Sequence, residues 1–128
     1  MPRPSPVRDQ VRDLLLGDSR HAWSLDELLD EVRRDLGSAD YSTVFRAVAF
    51  LEQQGQVQKV ELGDGRSRYE RATPHHDHVR CTDCGRVAEL RGACRLVDAD
   101  QELSRATGFQ ISGHYLVVTG LCPNCQPR

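Results

Sequence analysis

Apolar residues in the first half of the chain recur at the spacing of helices that bury one face. Val7, Val11, Leu14 and Leu15 follow Pro6, a residue suited to a first helical turn, and the run stops at Gly17. Ser24 with Glu27 three positions on is a capping-box pair, and Leu25, Leu28, Leu29, Val32 and Leu36 form a stripe that ends at Gly37. A third helix is expected from around Asp40 to Ser42, carrying Val44, Ala47, Val48 and Leu51 until Gly55. The period then changes. Val57 to Leu62 and Ser67 to Glu70 flank the turn-rich Gly63-Asp64-Gly65-Arg66, the pattern of a hairpin. Three short helices bury a core only by packing on one another, and with a hairpin after them they describe a winged helix-turn-helix. Its third helix would enter the major groove and its wing, tipped by Arg66 and Arg68, would lie along phosphates. The competing reading is a three-helix module that binds protein.

Ala72-Thr73-Pro74 reads as a hinge, which sets an expected boundary between residues 1–72 and 75–128. Beyond it the pattern predicts short strands over Val79 to Cys81 and Val87 to Leu90 and a helix from about Leu96 to Thr107, stopped by Gly108. Strands at Phe109 to Ser112 and Tyr115 to Thr119 would flank Gly113. The expected fold class is α+β, a winged helix followed by a small α/β unit.

Composition narrows the function classes. At 128 residues, one domain or two small ones fit, a small one needing a metal staple. The net charge of −2 carries no nucleic-acid signal, so any DNA-binding face must be local. No apolar run approaches the ~20 residues of a membrane helix and no apolar leader core stands at the N-terminus, so the expected compartment is the reducing cytoplasm.

In that setting the cysteines read as metal ligands rather than disulfides. Cys81-x-x-Cys84 and Cys122-x-x-Cys125 have the spacing that brings two thiolates from one knuckle to one ion. Two knuckles complete a closed tetrahedral sulfur site of the kind zinc prefers. Cys94 is a fifth thiol, read first as a small apolar residue and second as a ligand or redox sensor. Just before the first knuckle lies His75-His76-Asp77-His78. In an extended chain His76 and His78 share one face and His75 and Asp77 the other, so one strand can feed two sites. Imidazole and carboxylate together suit zinc, iron, manganese, cobalt or nickel.

At this point the chain resembles the ferric uptake regulator family of metal-dependent repressors. The resemblance is carried by Ser42 to Val57, similar to the family's recognition helix, by His75 to Glu89, similar to its metal-core signature, and by the terminal knuckle. It implies a homodimer that binds a palindromic double-stranded operator, with Ser42, Thr43, Phe45 and Arg46 facing DNA, Phe45 standing where the family usually has Tyr. It also implies a structural zinc and a regulatory Fe2+, Mn2+ or Zn2+ held at the hinge by Glu70, His76, His78, Glu89 and His21. A further site would use His75, Asp77 and His114, with the family's Glu falling here on Leu96 or Val97. Asp98, Asp100, Glu102 or Cys94 then remain as its fourth ligand.

The reading that follows is a metal-dependent transcriptional repressor of metal homeostasis, not an enzyme, with a peroxide-sensing regulator of the same family as the alternative. A zinc-dependent hydrolase is the rival from another class, opposed by the absence of a separate nucleophile or a sizeable substrate domain. A zinc-ribbon interaction module is the third. Metal-stimulated binding to a duplex separates the first from both.

Overall fold

In a computed structural model, residues 5–73, 76–90, 94, 96 and 98–127 are described; His75 and Val97 lie outside them. The chain divides into two compact units, Met1–Thr73 and Pro74–Arg128.

The first unit holds α1 (Pro6–Leu16), α2 (Leu25–Leu36), α3 (Tyr41–Gln53) and a hairpin of β1 (Val57–Glu61) and β2 (Ser67–Arg71). Ser5 caps α1 through its hydroxyl, which accepts from the Arg8 amide. The Ser24 capping box is fully formed: the Ser24 hydroxyl accepts from the Glu27 amide at 3.2 Å and the Glu27 carboxylate accepts from the Ser24 amide at 2.8 Å. Gly37 ends α2 at φ 84°, in the left-handed region where a side chain would be strained. The helical stripes meet in one core of Val11, Leu15, Leu28, Val32, Val44, Val48 and Leu51, closed by Trp23, Val57 and Tyr69. Val44, Ala47, Val48 and Leu51 are buried on α3, and this fixes which side of that helix is left outside.

β1 and β2 pair antiparallel with Gln58 opposite Glu70 and Lys59 opposite Tyr69. Trp23 adds a bridge to this sheet, exchanging amide–carbonyl hydrogen bonds with Tyr69 at 2.9 and 2.7 Å. Sequence periodicity gave no sign of this link, because a single bridging residue has no period.

In the second unit β3 (Asp77–Cys81) lies between antiparallel β4 (Val87–Leu90) and parallel β5 (Val117–Gly120). A parallel neighbour requires a long crossover, and α4 (Ala99–Thr107) lies within it. α4 is shorter than expected at its start: the Ala99 amide donates to the Leu96 carbonyl at 3.0 Å, and Asp98 provides no side-chain cap. The strand expected at Phe109 to Ser112 is not formed. No neighbour pairs with these residues in the described part of this chain, and without a ladder the alternating pattern alone does not make a strand. β5 starts at Val117, two positions later than expected, where its register with His78 begins.

Candidate metal centres and nucleic-acid face

The four knuckle thiols come together at the end of the β-sheet. β3 ends in Cys81, the turn at Gly85 (φ 79°) returns the chain past Cys84 into β4, and β5 leads directly into Cys122 and Cys125. The four sulfurs lie within 4.8 Å of one another, and Cys84 Sγ is 3.8 Å from Cys122 Sγ. Zinc–sulfur bonds of about 2.3 Å in tetrahedral geometry require sulfurs about 3.8 Å apart, so the cluster has the size of a zinc site. Backbone amides are aimed at it: Cys81 Sγ accepts from the Cys122 and Cys84 amides at 3.4 and 3.5 Å, and Cys84 Sγ accepts from Arg86 at 3.4 Å. The Cys122 amide first and the Cys84 amide next lower the Cys81 thiol to about 6, the direction a metal-binding thiolate requires. A hydrogen bond with the Cys122 sulfur first, and then burial, raises Cys125, so without a cation the four thiols do not ionise together.

Among the described residues of the histidine run, His78 and Asp77 join different ligand groups, as the alternation predicts. His76 and His78 are neighbours on one side, ring centroids 4.6 Å apart and tilted by 59°, and His78 is buried. Glu89 sits opposite His78 in the β3–β4 register, on an exposed part of β4. Asp77, also buried, faces the other way and joins Cys94 and His114, with one donor atom from each within 4.8 Å of the others. Of the four residues considered as fourth ligand there, Cys94 is in the cluster, its sulfur 3.1 Å from His114 Nε2. Asp100 instead meets the opposite ring nitrogen, Nδ1, at 2.9 Å. Asp98 and Glu102 point to solvent from the start of α4.

In the first unit, the Trp23–Tyr69 bridge brings His21 beside Glu70, the residue after Tyr69. His21 Nε2 is 2.8 Å from one Glu70 oxygen, and the Gln58 amide donates to the other at 2.9 Å. Glu70 is 1% exposed, so it is a carboxylate held on both oxygens. Gln58 escaped sequence reasoning, since a glutamine in a strand carries no signal until its cross-strand partner is known.

On α3 the side opposite the core presents Ser42, Phe45 and Arg46 to solvent, with Thr43 half-buried. Phe45 is 49% exposed, and Tyr41 one turn earlier is equally so. Tyr41 was not singled out from sequence, although its spacing of four from Phe45 puts both rings on one face. The wing arginines differ. Arg66 is exposed, and its guanidinium donates to the Ser24 hydroxyl at 3.3 Å. Arg68 is only 2% exposed and gives two hydrogen bonds to Asp64, at 3.1 and 2.7 Å. The expectation that Arg68 lies along phosphates is corrected by this burial. Arg68, Tyr69 and Glu70 are all buried on β2, and Arg68 pairs there with the carboxylate of the hairpin turn.

A winged helix followed by a thiolate cluster and histidine-rich ligand sets defines the class of metal-responsive DNA-binding regulators. The model of the ferric uptake regulator family matches residues 2–119, and the chain belongs to that family. Its members are dimeric transcription regulators and not enzymes, which removes the hydrolase. The ferric uptake regulation protein of Bacillus subtilis is 30% identical over 128 residues, covering 97% of this chain and 85% of its own. The peroxide-responsive repressor PerR of Staphylococcus saprophyticus is 25% identical over 126 residues, covering 98% and 84%. Among solved structures, the Helicobacter pylori ferric uptake regulator, in which three functional metal binding sites are reported, aligns with a TM-score of 0.76 at 25% identity. That alignment covers 98% of this chain and 83% of the other. No helix among the described residues is long and apolar enough to cross a membrane.

Proposed function

We propose that this chain is a homodimeric repressor of metal-homeostasis genes whose affinity for a palindromic operator is set by one exchangeable divalent ion. The ligands are His21 and Glu70 from the winged-helix unit and His76 and His78 from the second unit, with Glu89 opposite His78. The observation that carries this reading is the preorganised pair in each unit: a buried Glu70 already oriented by Gln58 and adjacent to His21, and two imidazoles side by side at the start of β3. An ion taking ligands from both units favours whichever arrangement lets all of them reach it, and it regulates DNA binding only by that difference. Nitrogen and oxygen ligands without thiolate suit ferrous iron, manganese or zinc. The knuckle cysteines hold a separate structural zinc that ties the end of the chain to β3 and contributes folding free energy. DNA is read by Ser42, Thr43, Phe45 and Arg46, Phe45 offering apolar contact to a thymine methyl, while Arg66 supplies phosphate contact. The exposed rings of Phe109 and Tyr115, 74% and 92% accessible, are apolar surface for a second copy to cover.

The test replaces His76 and His78 together with Ala and follows binding to an in vitro selected palindromic duplex during metal titration. A folded dimer that keeps its zinc but gains no affinity on adding metal is expected. A wild-type metal response in this variant rejects the assignment. The peroxide-sensing alternative is favoured by the likeness to PerR; it requires that hydrogen peroxide release DNA from the iron-loaded protein and not from the manganese-loaded one.

A further inference from the structure

The Asp77, Cys94 and His114 cluster differs in chemistry from the site that family resemblance leads one to expect. That site takes imidazole and carboxylate only, and the position of its Glu is occupied here by Leu96 or Val97. A thiol stands nearby instead. Cys94 Sγ is 3.1 Å from His114 Nε2, and both are within 4.8 Å of a buried Asp77 oxygen. Bond lengths of about 2.3 Å to sulfur and about 2.0 Å to nitrogen give a separation of about 3.5 Å in a tetrahedral site, so a small adjustment admits an ion.

Two further details have the form of a built site. The Leu96 amide donates to Cys94 Sγ at 3.4 Å, the kind of N–H to sulfur contact that also surrounds Cys81 and Cys84. Asp100 holds His114 Nδ1 at 2.9 Å, which directs the lone pair of Nε2 toward the thiol and carboxylate. A carboxylate behind a ligating histidine is the usual means of fixing its tautomer and raising its basicity.

We infer that Asp77, Cys94 and His114 form a third metal site, a sulfur/nitrogen/oxygen site selective for zinc-like ions over manganese, with Asp100 as the positioning residue for His114. Binding converts the Cys94 thiol to thiolate and releases its proton to solvent. A thiolate ligand favours zinc and cobalt and disfavours manganese, whereas an all nitrogen/oxygen set discriminates weakly. The site shares no ligand with His21, Glu70, His76 and His78, so it stands or falls independently of the proposed regulatory ion.

The experiment uses the full chain with its knuckle zinc retained and quantified, and Co2+ as the probe. Cobalt titration should produce a sulfur-to-cobalt charge-transfer absorption that saturates at one ion per chain, equally in wild type and in the His76→Ala/His78→Ala variant. Cys94→Asp should still bind cobalt but without that absorption, and Cys94→Ala should bind at least about tenfold more weakly. Asp100→Asn should keep the absorption at saturation while affinity falls roughly 10–100-fold, the range for loss of a partner behind a ligand. Manganese should not compete. Absence of the absorption while one zinc per chain is retained overturns the proposal, as does its persistence in Cys94→Asp or its loss in His76→Ala/His78→Ala.

Discussion

Asp64→Ala should cost the winged-helix unit far more stability than a substitution in a hairpin turn normally does. The change removes both hydrogen bonds that Arg68 gives to the Asp64 carboxylate, and a third from the Arg66 amide at 3.1 Å. The side chain of Arg68 is 3% exposed and that of Asp64 15%, so the guanidinium remains buried after this carboxylate is gone. Breaking a buried ion pair from one side costs roughly 3–5 kcal/mol, and the residual exposure of Asp64 places the expected value near 3 kcal/mol. Arg68→Met should cost less, because it removes the buried charge together with its contacts and leaves Asp64 near solvent. Urea unfolding followed by fluorescence checks both, since Trp23 is the sole tryptophan and is buried beside Tyr69. For a unit this small the urea dependence is about 1 kcal/mol per molar, so the Asp64→Ala midpoint should fall by ~3 M. A loss below about 1 kcal/mol, or an Arg68→Met change costlier than Asp64→Ala, would refute the reasoning. DNA binding gives an independent check. Arg66→Ala should flatten the salt dependence of operator affinity by about 0.9 in log–log slope, and Arg68→Met should leave that slope unchanged.

Arg46→Ala should lower operator affinity at every salt concentration without altering metal content or dimerisation, checked by fluorescence anisotropy beside metal analysis. Cys81→Ser should lose the structural zinc and with it the second unit's fold, visible as loss of dimer in sedimentation; a zinc-free folded dimer after substitution of all four knuckle cysteines would contradict the assignment. Glu70→Gln preserves a hydrogen-bonding side chain beside Gln58 and His21 but removes the ligand charge, so metal should activate DNA binding only at higher concentration while thermal stability changes little. Because protons compete for the same imidazole nitrogens, metal-stimulated DNA binding should weaken as pH is lowered, and a pH-independent metal titration would exclude histidine ligation.

The first unit was legible because helix stripes, a capping box and a glycine-rich turn are local signals that tertiary packing only had to accept. Val44, Ala47, Val48 and Leu51 announced the buried side of α3, and thereby its outer side. Arg68 was misread because both wing arginines look alike in sequence, and only the folded hairpin pairs one of them with Asp64 and buries it. Phe109 to Ser112 carried a strand pattern, but pairing depends on a neighbour that no local pattern specifies. The knuckles were legible from spacing alone. The Cys94–His114–Asp100 arrangement was legible only as a set of candidates, because which of Asp98, Asp100, Glu102 and Cys94 meets His114 is decided when the crossover through α4 returns to β5.

β3 also bears on how this chain can change over evolutionary time. Its five residues, with His76 just before them, divide among three ligand sets: His76 and His78 on one face, Asp77 on the other, Cys81 at the end. The partition depends only on the twofold alternation of a strand paired on both edges, so inserting or deleting one residue between His76 and Cys81 would exchange the faces of everything on one side of the lesion. Point substitutions can retune each set separately, as Cys94 does from a distance. Length changes in this strand would disrupt several sets at once, which makes the segment a single heritable block even though the ions it serves are chemically distinct.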